Sequence, residues 1–271
     1  VEDVNITAPR YAGGVIYNLK NGSTLSNVSV KNVTITGTEE FGGVAGTTTG
    51  SAVKVSNVLV ENFTCTATGE RIGGIIGYIR IKTTMTDCII KDSSITGKRF
   101  MGGVSYTLQY GSIATRVGVV NVNITATDAT ASNEQRVGGL IGYVTGSPAN
   151  TVQYCYVTDS VITSAASRYV GGFIGYSASA NHTVTENYVN ADVNTVGNIY
   201  TGSFLGHRAT GTFTNNFAKT VEGKPLVGSA TAGVAGNTEG ITEVSLEDVR
   251  KGSLTEMLNN ITDIWAQHGE D

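Results

Sequence analysis

The chain is short of what chemistry at a site usually needs. Its 271 residues include three histidines, three cysteines, three prolines and one tryptophan, and only 15% are charged. No His-Glu-x-x-His or Cys-x-x-Cys spacing occurs, which excludes the usual zinc arrangements. The net charge of −4 comes without a basic cluster, so neither nucleic acid nor an anionic membrane surface is an expected partner. No apolar run is long enough to insert in a membrane, and the repeats have no helical amphipathic period. Nothing calls for a cofactor.

Glycine, by contrast, is abundant, with 35 residues. One phrase returns along the chain: Phe41-Gly-Gly-Val-Ala-Gly46, Ile72-Gly-Gly-Ile-Ile-Gly-Tyr78, Val137-Gly-Gly-Leu-Ile-Gly-Tyr143, Val170-Gly-Gly-Phe-Ile-Gly-Tyr176. Its first glycine falls at Gly13, Gly42, Gly73, Gly102, Gly138, Gly171 and Gly202, in steps of 29, 31, 29, 36, 33 and 31. A period of this size means stacked units, each burying its apolar edge against its neighbours. Between the phrases run short alternating segments such as Val53-Lys-Val-Ser, then turn residues, which is the spacing of a three-strand coil. The expected fold is therefore all-β: a parallel β-helix of about seven coils over 1–217, with a connection and a partly helical cap over 218–271. Ser245 as helix N-cap and Trp265 as an anchor over the last coil carry the cap reading.

Aligned on their glycines, the coils produce columns. One reads Asp3, Asn32, Asn62, Asp92, Asn121, Asp159, Asp192; another reads Asn27, Asn57, Asp87, Arg116, Tyr154, Asn187, Asn216. Asn and Asp suit bent or left-handed backbone and can bond one another up a column. An aliphatic column, Ile6, Ile35, Cys65, Ile95, Ile124, Ile162, reads as one inward line. Cys88 and Cys155 share a further column with a whole coil between them. Two rises of about 4.8 Å exceed disulfide reach, so three free, buried thiols are expected. The segment Asp3-Val-Asn-Ile-Thr7 matches Asn32-Val-Thr-Ile-Thr36, so further coils of the same polypeptide are expected upstream.

The Gly-Gly-Leu-Ile-Gly-Tyr143 and Gly-Gly-Phe-Ile-Gly-Tyr176 phrases resemble the GLUG motif of large secreted and surface-attached bacterial proteins. The likeness covers most of the chain. It implies a right-handed parallel β-helix and a secreted or cell-surface bacterial setting, including adhesin-like proteins and accessory regions of secreted peptidases. The family supplies no catalytic residues to carry over.

Candidate sites follow from departures from regularity. Ile124 to Gly138 spans 14 residues where Ile6 to Gly13 spans 7, so a seven-residue loop is expected within Ala126–Gln135. A smaller excess falls in Ser164–Arg168. If the loop folds over the neighbouring sheet, Asp128, Asn133 and Glu134 would join Tyr143 and Tyr176 in one patch for host glycans or matrix proteins. If the tyrosines face inward or stack only on one another, they read as packing instead, the reading that the burial habits of aromatic residues favour. Asp159 and Asp192, as neighbours on adjacent coils, are a candidate acid or cation pair, or simply fill the turn position. Three readings stay open: a non-catalytic adhesion or display module, a polysaccharide lyase or hydrolase, and an accessory region of a secreted peptidase.

Overall fold

A computed structural model describes residues 1–130, 134–166, 168–178, 182–197, 199–219, 221–230, 235–245 and 247. Among them are 25 β-strands, paired in parallel into an 18-stranded and a 7-stranded sheet that wind about the axis as a β-solenoid of about seven turns. The glycine phrase sets the register: Gly13, Gly42, Gly73, Gly102, Gly138, Gly171 and Gly202 pair one above the next. In the first six phrases the second glycine turns the chain where two coils touch through bare backbone. Gly74 N donates to Gly103 O (3.0 Å), and a Cβ on Gly74 would lie 2.2 Å from that same oxygen.

Alternation builds each wall. From Val53 to Ala67 every inward residue (Val53, Val55, Val58, Val60, Phe63, Cys65, Ala67) is buried. The pattern slips by one at Asn57 and Asn62, which have φ of 51° and 54°. A left-handed residue adds one outward position and bends the wall without breaking the ladder. Three such columns mark the corners. The first is Asn27, Asn57, Asp87, Arg116, Tyr154, Glu186, Asn215; the second is Asp3, Asn32, Asn62, Asp92, Asn121, Asp159. The third lies two residues before the glycine phrase: Tyr11, Glu40, Arg71, Phe100, Tyr169, Tyr200. Side-chain amides bond up the columns, as Asn62 Nδ2 to Asn32 Oδ1 (3.0 Å) and Asn57 Nδ2 to Asn27 Oδ1 (2.6 Å).

The aliphatic column is as expected, with Ile35, Cys65, Ile95, Ile124 and Ile162 in register and buried, and Val193 continuing it. The three cysteines are free and buried, and desolvation pushes each thiol up to about 12. One column departs from expectation by one residue at its last two positions. Glu186 and Asn215 take the corner, while Asn187 and Asn216 face inward, wholly buried, with Asn187 Nδ2 donating to Asn216 Oδ1 (2.8 Å). The ladder also continues beyond the expected boundary: Ile241–Val244 pairs with Asn216–Lys219. The expected helical tail and Trp265 lie outside the described residues, apart from Ser245 and Glu247.

Candidate functional site

The expected loop is present, and it is one of three. Between paired positions on either side of the third corner, the early coils need five or six residues (Gly37 to Gly42, Ala67 to Gly73, Gly97 to Gly102). Coil four takes twelve (Ala126 to Gly138), and the next two take seven each (Ser164 to Gly171, Thr195 to Gly202). The three enlarged corners are consecutive, so they lie side by side along the solenoid.

Beside them runs an aromatic ladder. Tyr143 pairs Tyr176, which pairs His207, and their rings stack at 5.4 Å and 5.4 Å. Coil four has Thr107 at that register, yet the ladder is unbroken there. Tyr106, standing where the next coil has Gly142, places its ring 5.6 Å from Tyr78 and 6.4 Å from Tyr143. Corner aromatics thicken the stack: Phe100 on Tyr106 (5.1 Å), Tyr169 on Tyr176 (4.6 Å), Tyr200 on Tyr169 (4.8 Å). Arginines lie over the rings, Arg80 at 4.2 Å from Tyr78 and Arg136 at 4.2 Å from Tyr143. Burial raises the Tyr106 and Tyr176 hydroxyl pKa values and lowers that of the His207 imidazole.

The loop and the ladder meet through Arg136, which pairs with Glu134 and donates from Nη1 to the Tyr106 hydroxyl (3.3 Å). Glu134, Tyr143 and Tyr176 are thus brought together as expected. Asp128 is not part of this cluster: it is buried, its Oδ1 accepts from Thr130 N (3.0 Å) and its own N–H donates to Lys98 O (2.9 Å). Asn133 lies outside the described residues. Tyr143 and Tyr176 are half-buried and point outward, but their ring faces cover one another and Arg136 covers the remaining face of Tyr143. Edges and hydroxyls, rather than flat faces, are presented to solvent, which disfavours stacking a sugar there.

The expected acid pair is not formed. The register skips a residue, with Thr158 opposite Asn190 and Ser160 opposite Ala191, so Asp159 has no counterpart. Asp192 falls opposite Val161 and pairs with Lys219 (3.3 Å), while Asp159 accepts from Asn190 (3.4 Å). Among the described residues no cluster of His, Cys, Asp and Glu could hold a metal ion.

The three enlarged corners also enclose an apolar cleft of about 330 Å³. It is lined by Ala129 of the coil-four corner, Ala165 and Ala166 of the coil-five corner, and Val196, Ile199 and Tyr200 of the coil-six corner, together with Ala230. Among the described residues of the lining, Arg168 alone is charged. Sequence spacing alone reveals two of the three corners, because the residue skipped beside Asp159 cancels part of the third.

No family model matches the chain, and no solved structure matches it. The chain is similar to an immunoglobulin A1 protease of Streptococcus pneumoniae strain ATCC BAA-255 / R6, at 28% identity over 190 residues. A second immunoglobulin A1 protease from Streptococcus pneumoniae is 26% identical over 190 residues. In each case the match covers 67% of this chain and 8% of the relative's length.

Proposed function

We propose that the chain is a non-catalytic, GLUG-type β-solenoid module of a large secreted or surface-attached bacterial protein, which spaces and presents a binding surface. The observation that carries this reading is the similarity of two thirds of the chain to a small part of immunoglobulin A1 proteases. A protease named for an immunoglobulin works outside the cell, and a segment spanning so little of it suits an accessory role. This favours the peptidase-accessory reading over a free-standing adhesin, although both use the solenoid in the same way. The polysaccharide-cleaving reading loses its motive, since Asp159 and Asp192 are held apart and each has its own partner. The test is to incubate the purified chain with immunoglobulin A1 and with a panel of acidic and neutral polysaccharides. Intact substrates are expected throughout, and turnover of any one of them overturns the reading.

A further inference from the structure

Arg168 differs from the other described arginines. Arg10, Arg71, Arg80, Arg99, Arg116 and Arg136 each meet a carboxylate, and Arg208 donates to the carbonyls of Gly211 (2.9 Å) and Glu239 (2.7 Å). Among the described residues Arg168 has neither an ion pair nor a side-chain hydrogen bond, and its Nε is buried without an acceptor. A buried donor left unmade costs free energy that a charged acceptor would recover, here beside methyl groups that exclude water. The apolar wall is also unusually open, since Val196 and Ile199 are 72% and 42% exposed.

From these observations we propose that the corner cleft is a docking groove for an extended peptide segment of a partner protein, with an acidic side chain flanked by apolar ones. The acidic group pairs with Arg168, and the apolar neighbours lie on Val196, Ile199 and the alanines. The groove's length fits: the three corners and the Ser229–Ala230 segment that hydrogen-bonds to Tyr200 make four rungs, about 4.8 Å apart, which span about 14 Å, the length of about four extended residues. Its chemistry favours peptide over sugar, because most of the lining is methyl-bearing and offers few partners for hydroxyls. The proposal gives the binding surface of the module reading its partner class and rests on that reading.

The experiment uses the full chain and two fluorescein-labelled, C-terminally amidated peptides, Gly-Leu-Asp-Leu-Ser-Gly and Gly-Leu-Asn-Leu-Ser-Gly, followed by anisotropy. The Asp peptide is expected to bind about tenfold more tightly than the Asn peptide, as a hydrogen bond to a charged group implies. Arg168→Gln should abolish that preference. Val196→Ser with Ile199→Ser should weaken both peptides by about tenfold; these exposed positions leave the fold intact, so this variant decides the matter even if Arg168→Gln misfolds. Failure of the Asp peptide to bind, equal binding by the wild type, a preference that survives Arg168→Gln, or indifference to the serine pair would each overturn the groove. Self-association of the wild type that the serine pair abolishes would also overturn it, in favour of a second copy as occupant. Substrate turnover strikes the module reading, whereas these outcomes strike the groove alone.

Discussion

The third corner is built twice from the same backbone and two different chemistries. In the early coils it is ionic. Glu39 bridges Arg10 (2.6 Å) and Arg71 (3.0 Å), Glu70 bridges Arg71 (3.0 Å) and Arg99 (2.8 Å), and the wholly buried Glu40 meets Arg80 (2.5 Å). Further along it is largely aromatic, through Phe100, Tyr169 and Tyr200, with the Arg136–Glu134 pair standing between Phe100 and Tyr169. Glu40, Arg71, Phe100, Tyr169 and Tyr200 share one left-handed conformation, with φ between 50° and 69°. The corner geometry therefore does not select its residue; what stacks above and below does. Stacked coils reward any side chain whose neighbour complements it, whether by charge or by ring.

The largest expected effect tests what the two halves share. Gly74→Val would drive a side chain into the Gly103 carbonyl and against Ile90 Cδ1, also 2.2 Å from an added Cβ. Backbone cannot yield as a flexible side chain can, so the expected loss is at least about 3 kcal/mol. Chemical denaturation would show it as a collapsed midpoint. A variant of near-normal stability would mean that the coils tolerate separation and that the glycine ladder is incidental.

Next come the two chemistries themselves. Tyr169→Ala removes a buried ring stacked on two others and should cost about 3 kcal/mol. Glu40→Gln leaves Arg80 without its carboxylate and should cost about 2 kcal/mol, below the fully buried case because Arg80 is 37% exposed. Salt separates them. Raising NaCl to about 1 M shortens the screening length to about 3 Å, which should narrow the gap between wild type and Glu40→Gln and leave the Tyr169→Ala gap unchanged. Equal salt sensitivity in both variants would erase the distinction.

These contrasts explain what was legible from sequence. The glycine phrase and the Ile column largely repeat one residue type, because close backbone contact favours glycine and the inward line favours small or aliphatic apolar side chains. The third corner repeats a conformation instead, carried by Tyr, Glu, Arg and Phe, and so offers no common letter. Tyr106 hides for a related reason: it fills the ladder from the neighbouring register position, where every other coil but the first, with Tyr17, has glycine. The Asn187 and Asn216 misplacement arose because asparagine serves two roles one position apart, corner residue and buried backbone partner. Asp192 was misplaced by the single skipped residue, which only pairing reveals.

Acid should divide the halves again. His182 is fully buried, its Nδ1 faces Asn150 N (3.3 Å), and burial holds its pKa below the ordinary 6.5. The unfolded chain then binds the proton first, so stability is complete above about pH 6.5 and falls as pH drops toward the folded value. Early in the chain, Lys91 and Lys31 hold Glu61 below its ordinary 4.5, so its contribution persists above 4.5 and is lost only at lower pH. Hydrogen exchange read residue by residue should show coils five to seven loosening as pH falls below about 6.5, before coils two and three do so below 4.5. His182→Asn, which copies Asn150 of the preceding coil, should flatten that slope. A slope unchanged by the substitution would assign the acid loss to another group.

The smallest effect is expected at the first corner, where the comparison can be run on one residue. Arg116 has φ of 52° and forms an exposed pair with Asp87 through Nε (2.6 Å) and Nη2 (2.9 Å). Arg116→Gly gives up that pair, worth about 0.2–1 kcal/mol at an exposed site. It also relieves a left-handed conformation that costs an ordinary residue about 1–2 kcal/mol and glycine little. Glycine's greater freedom in the unfolded chain takes back about 0.5–1 kcal/mol. The terms nearly cancel, and thermal denaturation should place the variant within about 0.5 kcal/mol of wild type. A loss above about 1.5 kcal/mol would mean that side chains hold even the exposed corners, and that the difference between the ionic and aromatic halves extends to every corner of the solenoid.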